Sequence, residues 1–358
     1  VFQTEQFKSQ GKAIELIKFV EAAEEDAYDL WVSPRVGTYA KIMSAPKHIA
    51  ALEKFFKDHS ISFSVLIEDV QESIRRESVD RYARRKAKTS SRSIDFENYY
   101  GVDDLKADYD FVDVEVYGQS YEKRDLKVIK IQKAGSGAPN IFIEAGIHAR
   151  EWIAPAMATY IIHSLLEFNF HIMPSVNPDG YEYSREEVLL FNALIILRRL
   201  WRKTRRDNQG SSCKGVDANR NWAFHWHGDN NMTAIEDPET ESIRQYVESL
   251  NPTPLMSLSL HSAANLWLFG LAEKAVDALN EVHHAGFQAI NSADLYPAAG
   301  ASDDWYLGVL GSTYGYTVEL RQGGYYGFDL PPEQINESGE ELWAGMQVIF
   351  DRLHEVSA

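Results

Sequence analysis

The sequence predicts an α/β fold: a sheet with helices on both faces, preceded by a smaller α/β module. Three observations predict it. From about residue 93 to the end, short apolar runs alternate with stretches of helical apolar spacing. Residues 1 to about 75 repeat that alternation on a smaller scale and lead into a basic, then polar, segment. Two of the apolar runs have a histidine at or soon after their ends, and the strand ends of α/β sheets are where such folds place ligand sites.

The elements follow in order. Lys12 to Ala23 carries apolar residues at Ile14, Leu16, Ile17, Phe19 and Val20, one face of a helix. Asp29-Leu30-Trp31-Val32 reads as a strand ended by Ser33-Pro34, and Pro46 to Phe56 as a second helix with its proline near the first turn. Ser62 to Ile67 reads as a second strand. A charged helix is expected from Asp69 to about Lys88, dissolving into Thr89-Ser90-Ser91-Arg92-Ser93. It reads as a solvated connection, and its basic, polar, exposed character suits cutting by a trypsin-like protease. Beyond it, strands are expected over Val112–Val116, Val128–Ile131, Ile141–Ile143, His171–Val176, Leu255–Leu260 and Thr317–Leu320. Helices are expected near Ala154–Glu167, Pro238–Ser249, Glu273–Phe287 and Gly339–Leu353. Asn177-Pro178-Asp179-Gly180 reads as a turn, because proline and glycine favour turn dihedrals. No internal repeat is visible.

Composition narrows the class. A chain of 358 residues that is 44% hydrophobic has room for one large domain and a small one. A net charge of −17 disfavours nucleic acid and anionic membranes and is compatible with cationic substrates. No apolar run approaches the ~20 residues that span a bilayer, and Val1-Phe2-Gln3-Thr4-Glu5 has no leader pattern. The single cysteine, Cys213, leaves no intrachain disulfide, which by itself leans weakly intracellular. Asn231 and Asn336 begin glycosylation sequons of a kind that chance supplies often.

The chain is organised around Gly146-Ile147-His148-Ala149-Arg150-Glu151-Trp152, which follows the run Ile141-Phe142-Ile143. His148 and Glu151 can converge there on one ion. Leu258-Ser259-Leu260-His261-Ser262 is a second run ending in a histidine. A catalytic zinc takes three protein ligands and keeps a position for water. A histidine at a strand end is more often a hydrogen-bonded structural residue, so the neighbouring motifs decide.

Those motifs are Gly146 to Ile153, Asn177-Pro178-Asp179-Gly180-Tyr181, Leu200-Trp201-Arg202-Lys203-Thr204-Arg205, Gly215-Val216-Asp217-Ala218-Asn219-Arg220-Asn221-Trp222, Leu260-His261-Ser262 and Tyr316-Thr317-Val318-Glu319-Leu320-Arg321, in that order. Together they resemble the funnelin metallocarboxypeptidases, the pancreatic carboxypeptidase A/B group. Residues 1–92, with Leu66-Ile67-Glu68-Asp69-Val70-Gln71, resemble that group's propeptide.

The resemblance implies a mixed, centrally parallel sheet flanked by helices over 93–358, and a small antiparallel α/β inhibitory prodomain with a helical connecting segment over 1–92. It implies one zinc held by His148, Glu151 and His261, the two-histidine, one-glutamate set of carboxypeptidase A. Glu319 would be the general base, although a glutamate near Arg321 also suits a structural ion pair. Arg202 would stabilise the oxyanion. Asp217 would orient His148. Asn219 and Arg220 would grip the substrate's terminal carboxylate, a task suited to a planar guanidinium. Tyr296 would close over that carboxylate and Arg150 would line the outer subsites. Asp303, just before Asp304-Trp305, stands where enzymes specific for basic residues carry aspartate, so a C-terminal lysine or arginine is the expected substrate. The alternatives are an apolar or aromatic preference, a related zinc amidohydrolase, and a non-catalytic peptide-binding relative. The implied setting is a secreted monomeric zymogen in a digestive lumen or secretory granule. A trypsin-like protease would activate it at Arg92, Arg84 or Arg85.

Departures are equally specific. Ala263 replaces the family's usual tyrosine two residues after the third ligand, which alters the outer subsites. Cys213 has the position of a family disulfide cysteine without its partner. The segments after Glu167, His227 and Gly270 are short, and Glu186 to Leu197 is inserted or replaced.

Overall fold

The computed structural model describes residues 1–24, 27–77, 99, 113–132, 138–162, 168–185, 198–224, 237–268, 272–295, 298–324 and 327–357. They divide into two units, Val1–Arg76 with Asn291–Pro297, and Glu77–Ile290 with Ala298–Ala358. Residues 70–77 are helical, as expected for the start of the connecting segment. Arg84, Arg85 and Arg92 lie outside the described residues, as do Tyr296 and Asn231.

In the first unit four short strands, β1 (Phe2–Thr4), β2 (Tyr28–Val32), β3 (Lys41–Ser44) and β4 (Phe63–Val65), pair antiparallel in the order β2-β3-β1-β4. Helix α1 spans Gln10–Glu21, and α2 spans Ile49–Asp58 after a tight turn at Pro46–His48. Their apolar faces, Ala13 and Leu16 on α1 and Leu52, Phe55 and Phe56 on α2, close on Phe2, Phe7, Ala40 and Ile42. The central strand β1 was not read from the sequence. At three residues it is too short to show a period, and its place is set by register, Phe2 opposite both Ile42 and Val65.

The second unit contains, among its described residues, an eight-stranded sheet. Its strands are β5 (Asp113–Gln119), β6 (Asp125–Gln132), β7 (Asn140–Ala145), β8 (Asn169–Met173), β9 (Met256–Ser262), β10 (Leu266–Leu268), β11 (Gln288–Ile290) and β12 (Tyr314–Leu320). The order is β11-β10-β12-β9-β7-β8-β6-β5. The middle run β12-β9-β7-β8 is parallel, whereas β5, β6 and β10 pair antiparallel with β6, β8 and β12. This is the expected mixed, centrally parallel sheet. Strands β7 and β9 are buried along their whole length; in β7 this leaves the continuous apolar run Ile141-Phe142-Ile143, whereas β9 alternates leucine with buried serine.

Alternation along the strands feeds two cores. Ile141 and Ile143 point to one side with Leu258, Leu260 and Val318, against α3 (Ile153–Ile162), α6 (Ala272–His283) and α8 (Ile335–Ser357). Phe142 points to the other with Met173, Trp222, Ile243, Val247, Trp305 and Tyr306, against α5 (Pro238–Ser249) and α7 (Ser302–Trp305).

One expectation is corrected. Asn177-Pro178-Asp179-Gly180 is not a free-standing turn but the start of helix α4, Pro178–Arg185. The Asn177 carboxamide oxygen accepts from Gly180 N at 2.9 Å, and the Asn177 carbonyl accepts from Tyr181 N at 3.0 Å. Asn177 caps the helix, and Pro178 occupies the first turn, where a missing N–H costs nothing. Gly180 is required by space: a Cβ there would stand 2.7 Å from the Lys203 carbonyl oxygen.

Candidate active site

Strand β7 ends at Ala145, and Gly146 turns the chain with φ +71. A Cβ at Gly146 would also press to 3.0 Å from Pro155. The turn carries Ile147 to Glu151 across the strand end before α3 begins. His261 lies in β9 itself, one residue before its end. The three polar side chains meet in the interior. His148 Nδ1 is 2.8 Å from Glu151 Oε1, and His261 Nδ1 is 3.2 Å from Glu151 Oε2. The two Nδ1 atoms are 3.1 Å apart, and all three residues are buried. Among the described residues this is the group able to hold a metal ion, with ligand atoms within 4.8 Å of one another.

The donor set fits zinc. Each outer ring nitrogen has its own partner: His148 Nε2 is 3.3 Å from Asp217 Oδ1, and His261 Nε2 is 2.9 Å from Ser259 Oγ. With protons on the outer nitrogens, two Nδ1 lone pairs and a carboxylate face one another, an arrangement that calls for positive charge. A proton can supply it. Burial opposes a charged His261, but hydrogen bonding to Glu151 and the charges of Glu151, Glu319 and Glu144 push it up to about 9. A metal ion competes with that proton for the same nitrogen. Burial and the Arg202 charge hold His148 below its ordinary value, while both histidines hold Glu151 low against its own burial.

Loop contacts bring the remaining groups to this point. Asp217 caps the turn Ala218–Arg220, accepting from Asn219 N at 3.0 Å, and takes Arg202 Nε on Oδ2 at 2.9 Å. Burial opposes the Asp217 charge, yet Arg202, His148 and Arg220 keep its carboxyl well below the usual range. Arg202 Nη1 comes within 3.9 Å of Glu151, and the Arg202 carbonyl accepts from Ala149 N at 3.0 Å. Asn177, which sequence reasoning treated only as a turn residue, joins the two loops: its Nδ2 donates to the Ile147 and Lys203 carbonyls, each at 3.1 Å.

Glu319 faces His261 across the β12–β9 pair. It is only partly covered, but desolvation pushes its carboxyl up to about 7, with Glu151 adding to the rise and His261, Arg202 and Arg220 opposing it. Its neighbour Arg321 binds Glu341 and Glu337 instead, so the ion-pair reading of Glu319 has no support.

The Asn219 oxygen accepts from Ser302 N at 2.9 Å, leaving its Nδ2 as a donor 3.5 Å from His261 Nε2. Arg220 folds back through Nη1 onto the Asn219 carbonyl at 2.6 Å. Asp303 accepts from Thr317 Oγ1 at 2.9 Å and from Asp304 N at 3.0 Å. Arg150 is 2% exposed, its guanidinium 4.3 Å over the Phe328 ring. Ala263 is buried and Cys213 is a free thiol.

Sequence reasoning also missed Glu144, in β7. It accepts from Ser259 Oγ at 2.8 Å, Ser302 Oγ at 2.6 Å and Tyr306 OH at 2.7 Å. Burial pushes its carboxyl up, and those hydroxyls and the His261 charge oppose the rise. The available signal was an ionisable residue ending an apolar run.

Comparison with known proteins gives a consistent result. The zinc carboxypeptidase family matches residues 101–345, and the carboxypeptidase activation peptide family matches residues 9–77. Carboxypeptidase B of Astacus astacus is 38% identical over 293 residues, 69% of this chain and 92% of its own. Zinc carboxypeptidase A 1 of Anopheles gambiae is 31% identical over 389 residues, 95% of this chain and 86% of its own. Among solved structures, thrombin activatable fibrinolysis inhibitor superposes with a TM-score of 0.76 at 25% identity, covering 97% of this chain and 96% of its own. Carboxypeptidase A from Helicoverpa armigera shares the fold, with a TM-score of 0.83 at 22% identity over 97% of this chain and 95% of its own.

Proposed function

The chain belongs to the zinc carboxypeptidase family and carries an activation peptide, and from that premise we propose that it is the latent form of an enzyme releasing C-terminal lysine or arginine from peptides. Zinc is the cofactor, and His148, Glu151 and His261 would hold it. When bound, zinc polarises the scissile carbonyl and makes water acidic enough to attack at neutral pH. The chain's residues do the rest. Glu319, with a carboxyl near 7, accepts a proton and can return it to the leaving amine. Arg202, anchored on Asp217, directs its guanidinium charge at the carbonyl oxygen on which charge develops. Asn219, with its donor turned inward, and Arg220 receive the terminal carboxylate. Tyr296 closes over it, and Arg150 borders the outer subsites. Residues 1–92 keep the enzyme inactive until cleavage at Arg84, Arg85 or Arg92, in a secreted setting.

The basic preference rests on Asp303. Thr317 holds this carboxylate, and Thr317 lies two residues before Glu319 on the same face of β12. A negative charge so close to the reacting groups selects a cationic side chain. One observation favours the competing apolar preference: both Asp303 oxygens already accept a hydrogen bond. After trypsin treatment, release should be measured from matched peptides ending in lysine, arginine, phenylalanine and leucine. Basic ends should be favoured on the order of 10²-fold in kcat/KM, and Asp303→Ala should remove most of that advantage. Faster release of phenylalanine by the unaltered enzyme would establish the apolar preference instead.

A further inference from the structure

We propose that Glu144 is a positioning residue which, through the Ser259 hydroxyl, holds His261 in the tautomer that presents Nδ1 to zinc. The inference rests on His148, Glu151 and His261 being the ligands. Glu144 and Ser259 are register partners on β7 and β9, and Ser259 precedes His261 by two residues on the same strand face. The carboxylate, fully buried, is surrounded by three hydroxyls and has no hydrogen of its own to give when ionised. Ser259 must therefore aim its O–H at Glu144. Its lone pair then faces His261 Nε2 at 2.9 Å and can only accept. The imidazole proton is drawn to Nε2, and the Nδ1 lone pair is left for the metal.

The opposite arrangement, with Ser259 donating to Nε2, would put the proton on Nδ1 and block coordination. Asn219 cannot substitute as acceptor. Its oxygen is taken by Ser302 N, so its nearer atom, 3.5 Å from Nε2, is itself a donor. The two ligand histidines are thus backed in different ways: His148 directly by Asp217, and His261 by Glu144 through one hydroxyl. The same carboxylate holds Ser302 Oγ, and Ser302 N holds Asn219. The strand that supplies a ligand and the turn that receives the substrate carboxylate therefore share one anchor.

The test is zinc affinity by competition with a chelator, on the full-length protein, together with thermal denaturation. Ser259→Ala and Glu144→Gln should each weaken zinc binding about 10–100-fold. The carboxamide is nearly the size of the carboxylate, but its NH₂ can turn toward Ser259 and reverse the hydroxyl. Ser259→Thr, which keeps the hydroxyl, should recover most of the affinity. The double variant should bind no more weakly than Glu144→Gln alone, because both changes break one path. His261→Ala separates this inference from its premise: if it retains stoichiometric zinc, the ligand assignment itself fails. With that assignment standing, folded Ser259→Ala with unaltered zinc affinity overturns the role of Glu144. Ser259→Ala decides the matter even if Glu144→Gln does not fold.

Discussion

Replacing Glu319 by glutamine should leave the site assembled and remove its proton acceptor. Carboxyl and carboxamide have nearly the same volume, and Arg321 binds Glu341 and Glu337, so the exchange breaks no ion pair of that arginine. Val318 and Leu320, which anchor β12 in the core, are untouched. The loss is that of a positioned general base, about 10²–10⁴ in kcat, or about 2.7–5.4 kcal/mol at 1.36 kcal/mol per tenfold. The pH profile supplies a second signature. Glu319 is pushed up to about 7, and a base acts only when deprotonated, so kcat/KM should fall as the solution is acidified through that region. A bound dication beside the carboxylate lowers the value, so the acid limb should lie at or below 7. Steady-state kcat and KM for residue release over pH 5–9, with zinc content measured on the same samples, test both parts. A Glu319→Gln enzyme with full zinc, kcat within tenfold of the unaltered enzyme and the same acid limb would refute the assignment.

Two further outcomes are expected. Trypsin should cut the basic connecting segment and activity should rise sharply, later than the cut itself and sooner on dilution if the freed segment rebinds; equal hydrolysis of long peptides before and after trypsin would leave residues 1–92 without an inhibitory role. Glu239 is pushed up to about 9 by burial and then by the Asp237 charge, so the folded protein favours its protonated form. Stability should therefore fall as pH rises from about 4.5 toward about 9. Glu239→Gln retains an oxygen for Tyr121 N, which Glu239 Oε1 accepts at 3.0 Å, and should gain Tm over the unaltered protein as pH rises. A difference in Tm that stays constant from pH 5 to 9 would show that this carboxyl does not titrate as described.

The sequence by itself determined the periods and the chemistry. Ile141 to Ile143 was legible as a strand because burial on both faces leaves no polar alternation, and Leu255 to Leu260 because Ser257 and Ser259 alternate with leucines at a strand's period of two. Pro238 to Ser249 was legible as a helix because proline and acidic residues mark its first turn. His148, Glu151 and His261 were legible as a set through the order of the motifs around them. Tertiary structure alone decided the partners. Strands β1 and β3 exist because each can pair with the other, and three or four residues carry no readable period of their own. Asn177 caps its helix through a local bond, but that its amide also ties together the loops carrying Ile147 and Lys203 was decided by the tertiary structure. Glu144 stands 115 residues before the Ser259 hydroxyl it accepts from, and Arg321 twenty residues before the Glu341 it binds. A hydrogen bond depends on separation in space, and residue spacing along a chain records that separation only within one helix turn or one strand; beyond that it is set by which strands the sheet makes neighbours.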